Sequence, residues 1–329
     1  MILRRYSLTK FLFSRYNDNA DVIIWTPHIN NLHYYYGDNI INDVTLFHNL
    51  FKKKINVSRC SDLNLVKNKK NKKIYYSTTK YFNNYNFSDY SSSVRYVSKN
   101  LESEFEYVFP NYREVSFWEN KLFMHHEFDR LGIKTPKTIY YEKDISYSFL
   151  KKELGSVFLL KEVHSCSAMG VIKIESEEVF HKCMKKYNFN EIVFQKLVPM
   201  RKDLRVVLVD DQIVNYYWRI NPDKNWKPTS TSFGGDVLFD NFPDTWRENI
   251  IEDFRKLKIK TGAFDICWDN DDISGHYYIL EVSTSYQPNP KPSEKNNARY
   301  INWKRSVKFT KDSYIVKHIE NINFIKSKF

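Results

Sequence analysis

Two carboxylates at the ends of neighbouring strand-like runs constrain this chain more than any other feature. They are Asp265 in TGAFDICWD and Glu281 in YYILEVSTS, followed closely by Pro288 and Pro290. Mg²⁺ is a hard cation that wants oxygen ligands in an octahedron, and it shares them between one or two carboxylates and the phosphates of a nucleotide. The pair therefore predicts a magnesium site in an ATP-using enzyme; the plain alternative is two solvated acids at strand ends. The insert between them, which contains Asp269 to Gly275, reads as a long hairpin turn.

A chain of 329 residues with 42% hydrophobic and 17% aromatic content has room for two or three α/β subdomains with real cores. No window approaches the roughly 20 apolar residues that cross a bilayer, and the opening MILRRYSLTKFLFSRY carries charge on both sides of its apolar run. A cytoplasmic chain with no membrane partner is expected. Cys60, Cys166, Cys183 and Cys267 lie far apart with no CxxC spacing, which predicts free thiols rather than a zinc site or a disulfide framework. The net charge of +12 permits a polyanionic partner, nucleic acid included. Much of the excess sits in Lys67, Lys69, Lys70, Lys72 and Lys73, which read as a solvated loop before a strand.

Along the chain, residues 1–115 offer strands at Val22 to Trp25 and Lys73 to Tyr76. Between them lies a helix with Leu46, Phe47, Leu50 and Phe51 at helical spacing, which makes a small α/β unit. His33, Tyr34, Tyr35 and Tyr36 before Gly37 are either a recognition loop or a turn with packed tyrosines. From Trp118 a helix places Leu122, Phe123, His126 and Leu131 on one face, Gly132 stops it and Pro136 prevents its resumption. His125 and His126 must point to different faces, one to the core and one to solvent. In SVFLLKEVHSCSAMGVIKI, runs at Val157 to Leu160 and Val171 to Ile174 flank a loop of small residues, including Ser165, Cys166, Ser167, Ala168 and Gly170. That predicts a hairpin whose backbone N–H groups can approach a phosphate beside Lys161. Further on come a short strand, a turn at Pro199 and a long hairpin around Asp210 and Asp211. Arg219 shares a face with apolar residues there, so it requires an anion, either a phosphate or carboxylate of a ligand or a local acid.

In this order the segments resemble the ATP-grasp family, and within it the carboxylate–amine ligases of the type that adds glutamate to a ribosomal protein. The likeness runs from about Trp118 to Pro290. Asn120-Lys121 with GIKTPKT is similar to the helix that opens the ATP domain, and LLKEVHSCSAMGV to the lysine strand and its flap. FQKLVP is similar to the hinge strand, KDLRVVLVDDQIV to the segment with ribose and substrate-side residues, STSFGGD to the glycine pair, and DICWD with ILEVSTS to the metal-binding ending. The resemblance implies an α/β (α+β) ATP-grasp fold. It would have a small N-terminal α/β domain at 1–115, a central subdomain with lysine strand and flap at 116–194, and a C-terminal subdomain with the metal site at 195–329.

The resemblance also implies roles. Lys121 and Lys161 would hold the α and β phosphates under a flap of Ser165, Ser167 and Gly170. The backbone of Gln195, Lys196, Leu197 and Val198 would face the adenine edge, with Asp203 near the ribose. Arg219 would sit by the γ phosphate and the acyl phosphate, Arg205, Gly234 and Gly235 would lie on the substrate side, and Asp265, Glu281 and Ser283 would hold two Mg²⁺ ions. The implied reaction is attack of a carboxylate on the γ phosphate of ATP, then displacement of phosphate by an amine to leave an amide. The substrate would be a small molecule, peptide or glycan. It would be anionic if Arg201, Lys202 and Arg205 crowd a cleft between the first region and the ATP domain, and small and uncharged or amphipathic if that cleft is neutral and lined by Tyr34 to Tyr36. Ser283 stands where the family places Asn, Ala168-Met169 where glycine or lysine is usual, and Ser230 where Asn is common. These departures leave open a non-catalytic relative. The same motifs would also suit an ATP-grasp kinase of a polyol, and the positive charge would suit a basic nucleic-acid-binding module without catalysis.

Overall fold

The computed structural model describes residues 9–26, 38–52, 54–66, 70–76, 87–118, 120–142, 144–165, 168–221, 226–230, 234–268, 276–284 and 286. Described residues up to Val115 make one compact unit and those from Ser116 a second.

The first unit is built on a parallel sheet of β1 (Val22–Trp25), β2 (Val57–Cys60), β3 (Lys73–Tyr76) and β4 (Tyr107–Phe109) in the order β2-β1-β3-β4. Parallel neighbours need crossover connections, and α1 (Asp38–Lys52) and α2 (Phe87–Glu104) lie in two of them. Both faces of such a sheet are covered, so β1 reads as an unbroken apolar run. Val22 and Ile24 pack with Phe11, Leu46, Phe47 and Leu50, while Ile23 packs on the other side with Ile74, Leu101 and Phe105. Phe51, expected in that helix's apolar stripe, is half exposed at 51%. Lys72 departs from the expected solvated loop: it is buried and donates to the carbonyls of Asp18 at 2.5 Å and Ala20 at 2.6 Å. Tyr34 to Tyr36 lie outside the described residues.

The second unit holds two antiparallel sheets. One has the order β5-β8-β6-β7, from β5 (Thr138–Tyr140), β6 (Phe158–Glu162), β7 (Val171–Ile174) and β8 (Ile192–Lys196). It packs on α5 (Tyr147–Leu154) and α6 (Glu177–Met184) through Leu150, Phe158, Leu160, Phe180 and Phe194. The other runs β11-β10-β9-β12-β13, from β9 (Lys202–Val209), β10 (Gln212–Ile220), β11 (Asp236–Leu238), β12 (Thr261–Trp268) and β13 (Tyr277–Ser283). The β9–β10 hairpin turns at Asp210, whose φ is 48°. Every residue of β12 is buried, and the core around it takes in Met124 and Phe128 of α4 (Lys121–Leu131) and Ile250 and Phe254 of α7 (Arg247–Leu257).

The α4 boundaries follow from its caps: Asn120 accepts from Phe123 N–H at 3.2 Å, and Gly132 takes the left-handed conformation at φ 64°. Its inward face differs from the expected one. Lys121, Met124, His125 and Phe128 are buried, Leu122 and Phe123 are only partly so, and His126 is exposed and stacks on Tyr140 at 4.0 Å. The apolar stripe misleads because two of the inward positions are polar.

Candidate active site

At the end of β6, three apolar residues sink into the core and Lys161 follows them, 9% exposed. Strand register then supplies its partner. Gln195 on β8 lies opposite Leu159 on one side and Thr138 on the other, so with a period of two Lys161 shares its face. Lys161 Nζ donates to Gln195 Oε1; Gln195 Nε2 donates to Thr138 Oγ1 at 2.9 Å, and Thr138 donates on to Pro136 O at 2.9 Å. Burial pushes Lys161 down to about 8, helped by Lys121, while Glu281, Cys267 and Asp265 pull it back up.

Lys121, in the first turn of α4, donates to Ser165 O at 2.7 Å and Oγ at 3.1 Å, and Ser165 Oγ donates to Glu162 O at 3.1 Å. The root of the β6–β7 hairpin is thereby tied to the helix. Ser167 and Cys166 lie outside the described residues, and Met169 is exposed at the tip. Gly170 closes the hairpin where a Cβ would come within 2.6 Å of Glu162 Cβ and Ser165 Oγ. One turn along α4, His125 Nε2 lies 3.5 Å from Gln195 Nε2, and its Nδ1 has no hydrogen-bond partner among the described residues. Burial holds His125 well below the usual histidine range, and Lys161 and Lys121 add to the effect, so the ring is neutral. Between these residues Met124 Sδ accepts from Val282 N–H at 3.3 Å, which ties α4 to β13 as well.

On the second sheet, Asp265 of β12 sits directly opposite Glu281 of β13 and opposite Arg205 of β9, and Arg219 of β10 sits opposite Asp203 of β9. Two rungs two residues apart share a face, and their side chains interlock. Arg205 grips Asp265 with Nε at 2.7 Å and Nη2 at 2.8 Å. Arg219 holds Asp203 with Nε at 2.9 Å and with Nη2, which also reaches Asp265 Oδ2 at 2.9 Å. Thr229 donates to Asp203 at 2.8 Å. Burial alone would raise the Asp265 pKa; the Arg205 and Arg219 guanidiniums outweigh it and hold the carboxyl at about 2. Against the lowering effect of burial, Asp203 and Asp265 keep Arg219 well above its ordinary value.

Of the two readings for Arg219, the local acid is the one observed, and Asp203 is turned inward onto Arg219 and Thr229. Arg205, expected on the substrate side, has its guanidinium engaged by Asp265. Lys202 lies 4.9 Å from the Trp218 ring and 5.8 Å from the Trp268 ring. Gly235 permits the turn beside Thr229, since a Cβ there would lie 2.4 Å from Thr229 O, and Gly234 before it has φ 81°. Gln195 and Val198 are buried, Lys196 is exposed and Leu197 is half-buried. The Lys196 N–H is taken by Lys137 O and the Val198 carbonyl by Met200 N–H, each at 2.8 Å.

The residues fit a hard cation. Glu281 makes no hydrogen bond or ion pair among the described residues. Asp265 has about four acceptor positions and uses three on arginine, and Ser283 follows two places along β13 on the same face. No group of three or more His, Cys, Asp or Glu that could hold a metal occurs among the described residues. An ion held here needs other oxygens beside it, as Mg²⁺ on a nucleotide has.

No family model matches the chain. Over 196 residues it is 25% identical to the coenzyme gamma-F420-2:alpha-L-glutamate ligase of Methanococcus maripaludis, covering 57% of this chain and 66% of that one. It is 24% identical over 193 residues to the alpha-aminoadipate–LysW ligase of Sulfolobus acidocaldarius, covering 56% and 65%. The chain thus matches just under two thirds of the length of these relatives. Among solved structures, the ATP-grasp ligase PsnB complexed with a minimal precursor superposes with TM-score 0.53 at 14% identity, over 87% of this chain and 99% of that one. D-alanine–D-alanine ligase from Bacillus anthracis does so with TM-score 0.54 at 14% identity, over 91% and 99%.

The chain has the ATP-grasp fold. The first sheet of the second unit carries Lys161, α4 carries Lys121, and the second sheet carries the opposed carboxylates Asp265 and Glu281. Three residues that the sequence did not single out for their contacts, Thr138, His125 and Thr229, hold these groups in place. The only signal for the first two was a polar side chain at an inward position of an apolar element.

Proposed function

We propose that this ATP-grasp protein is an ATP- and Mg²⁺-dependent carboxylate–amine ligase working through an acyl phosphate. The observation that carries the reading is that α4 links the two ends: Lys121 is tied to Ser165 at the root of the lysine hairpin at 2.7 Å, and Met124 Sδ accepts from Val282 N–H, next to Glu281, at 3.3 Å. In this reading Lys121 and Lys161 hold the nucleotide phosphates, and the N–H groups of Leu197 and Val198 meet the adenine edge. Glu281 and the remaining acceptor position of Asp265 hold the metal, with Ser283 at its rim. Bound there, Mg²⁺ supplies neutralisation of the charge on the transferred phosphoryl group. The substrate carboxylate oxygen attacks the γ phosphorus and the bond to the ADP oxygen breaks; the amine nitrogen then attacks the acyl carbon and phosphate leaves. In this reading Arg219, shared between Asp203 and Asp265, meets the acyl phosphate oxygens.

The named relatives join glutamate or α-aminoadipate to an acceptor, which supports an amino acid as one substrate; the other is a small molecule, peptide or glycan. Phosphate release from ATP, measured against a panel of amino acids, peptides and uronic-acid sugars with mass spectrometry of the products, tests this. Release that requires both a carboxylate and an amine, with an amide product, is expected. A phosphorylated product without phosphate release would replace the ligase with a kinase.

A further inference from the structure

We propose that Gln195 is a positioning residue for Lys161: its neutral amide, locked in one orientation, holds the ammonium in place without cancelling its charge. The inference rests on the reading of Lys161 as a phosphate-binding lysine.

The orientation of an amide is set by its neighbours. Thr138 gives its proton to Pro136 O, so towards Gln195 it can only accept, and that assigns Nε2 to Thr138 and leaves Oε1 for Lys161. The ladder makes the contact unavoidable, because Thr138 and Leu159 are both register partners of Gln195 and Lys161 follows Leu159 by two. The charged and titratable groups around Lys161 are Lys121 and His125 from α4, Asp265 and Cys267 from β12 and Glu281 from β13. None of them is its hydrogen-bond acceptor among the described residues, and His125 is neutral. A carboxylate at position 195 would form an ion pair and compete with phosphate for the ammonium. An apolar side chain would leave a buried ammonium without an acceptor, which favours its neutral form.

The test reads Lys161 itself. Its side-chain NMR signal is followed against pH in the wild type, Gln195→Glu and Gln195→Met, and binding of a non-hydrolysable ATP analogue is measured on the same three proteins. The titration midpoint should rise by about one to two pH units in Gln195→Glu and fall in Gln195→Met. Nucleotide binding should weaken in both by about tenfold, the scale of one hydrogen bond to a charged group. A residue that merely fills space would not move the midpoint in opposite directions. Midpoints that agree in all three proteins, or shift the same way, overturn the proposal. Failure of the wild type to bind nucleotide would instead remove the ligase reading, while the NMR titration still decides the role of Gln195.

Discussion

The two sheets of the second unit bury charge in opposite ways. Lys161, on the first, meets a neutral amide, and its charged form is disfavoured by burial. Asp265, on the second, meets two guanidiniums, and its charged form is locked in. A buried charge held by neutral dipoles is left uncancelled, whereas one held by counter-charges has most of its hydrogen-bonding positions already taken. Under the proposed function, the lysine end is thus open to an anion, and the acid end keeps its shape until a cation arrives.

The largest effect expected is at the acid end. Arg219→Met leaves Asp203 and part of Asp265 uncompensated, and removing one partner of a buried pair costs about 3–5 kcal/mol. Urea denaturation should register it, and an unchanged midpoint would mean that the ladder is not a stabilising unit. Glu281→Gln comes next: with no partner among the described residues, the change should leave the unfolding curve in place while lowering turnover about 100-fold or more. An amide cannot balance a divalent cation as a carboxylate does. Full turnover would move the metal elsewhere.

At the lysine end, Lys161→Ala should weaken ATP binding by about 1.5–3 kcal/mol, the scale of a charge-assisted contact, and should not unfold the chain. Calorimetry showing equal affinity would take Lys161 out of the site. The smallest effect is in the pH dependence of stability, where the two ends part company. Asp265, held at about 2 from an ordinary 3.8, contributes stability that is present above pH 4 and lost as pH falls toward 2. Lys161 binds its proton less well folded than unfolded, so stability should rise as pH climbs from about 8 to 10.5. Comparing the wild type with Lys161→Met in that upper window isolates the lysine, and identical slopes would show that it is not buried in solution.

Strands with an apolar run or alternation were legible in the sequence, as β1, β3, the β9–β10 hairpin, β12 and β13 show. Asp265 and Glu281, however, lie inside β12 and β13 and not at the strand ends where the sequence put them. The α4 boundaries were legible because Asn120 and Gly132 are local signals. β2 and β4 were not, since VSRC interleaves its apolar residues with a serine and an arginine and YVF is only three residues long. The inward face of α4 was misread because the polar Lys121 and His125 occupy buried positions. Most of what holds the site was out of reach for a different reason. Lys161 finds Gln195 across 34 positions, Asp203 finds Thr229 across 26, and Arg205 finds Asp265 across 60; each depends on strand register that only the folded sheet defines.

The same helix face has a consequence for how this chain can change. Lys121 ties the hairpin root, Met124 meets the backbone between Glu281 and Ser283, and His125 sits against Gln195. Three near-consecutive positions thus serve both ends of the site at once. A substitution there that tunes one end perturbs the other, so successive replacements should show strong epistasis. Laboratory evolution toward a new nucleotide should leave residues 121–125 nearly untouched and accumulate its changes on β8 and the hairpin tip instead.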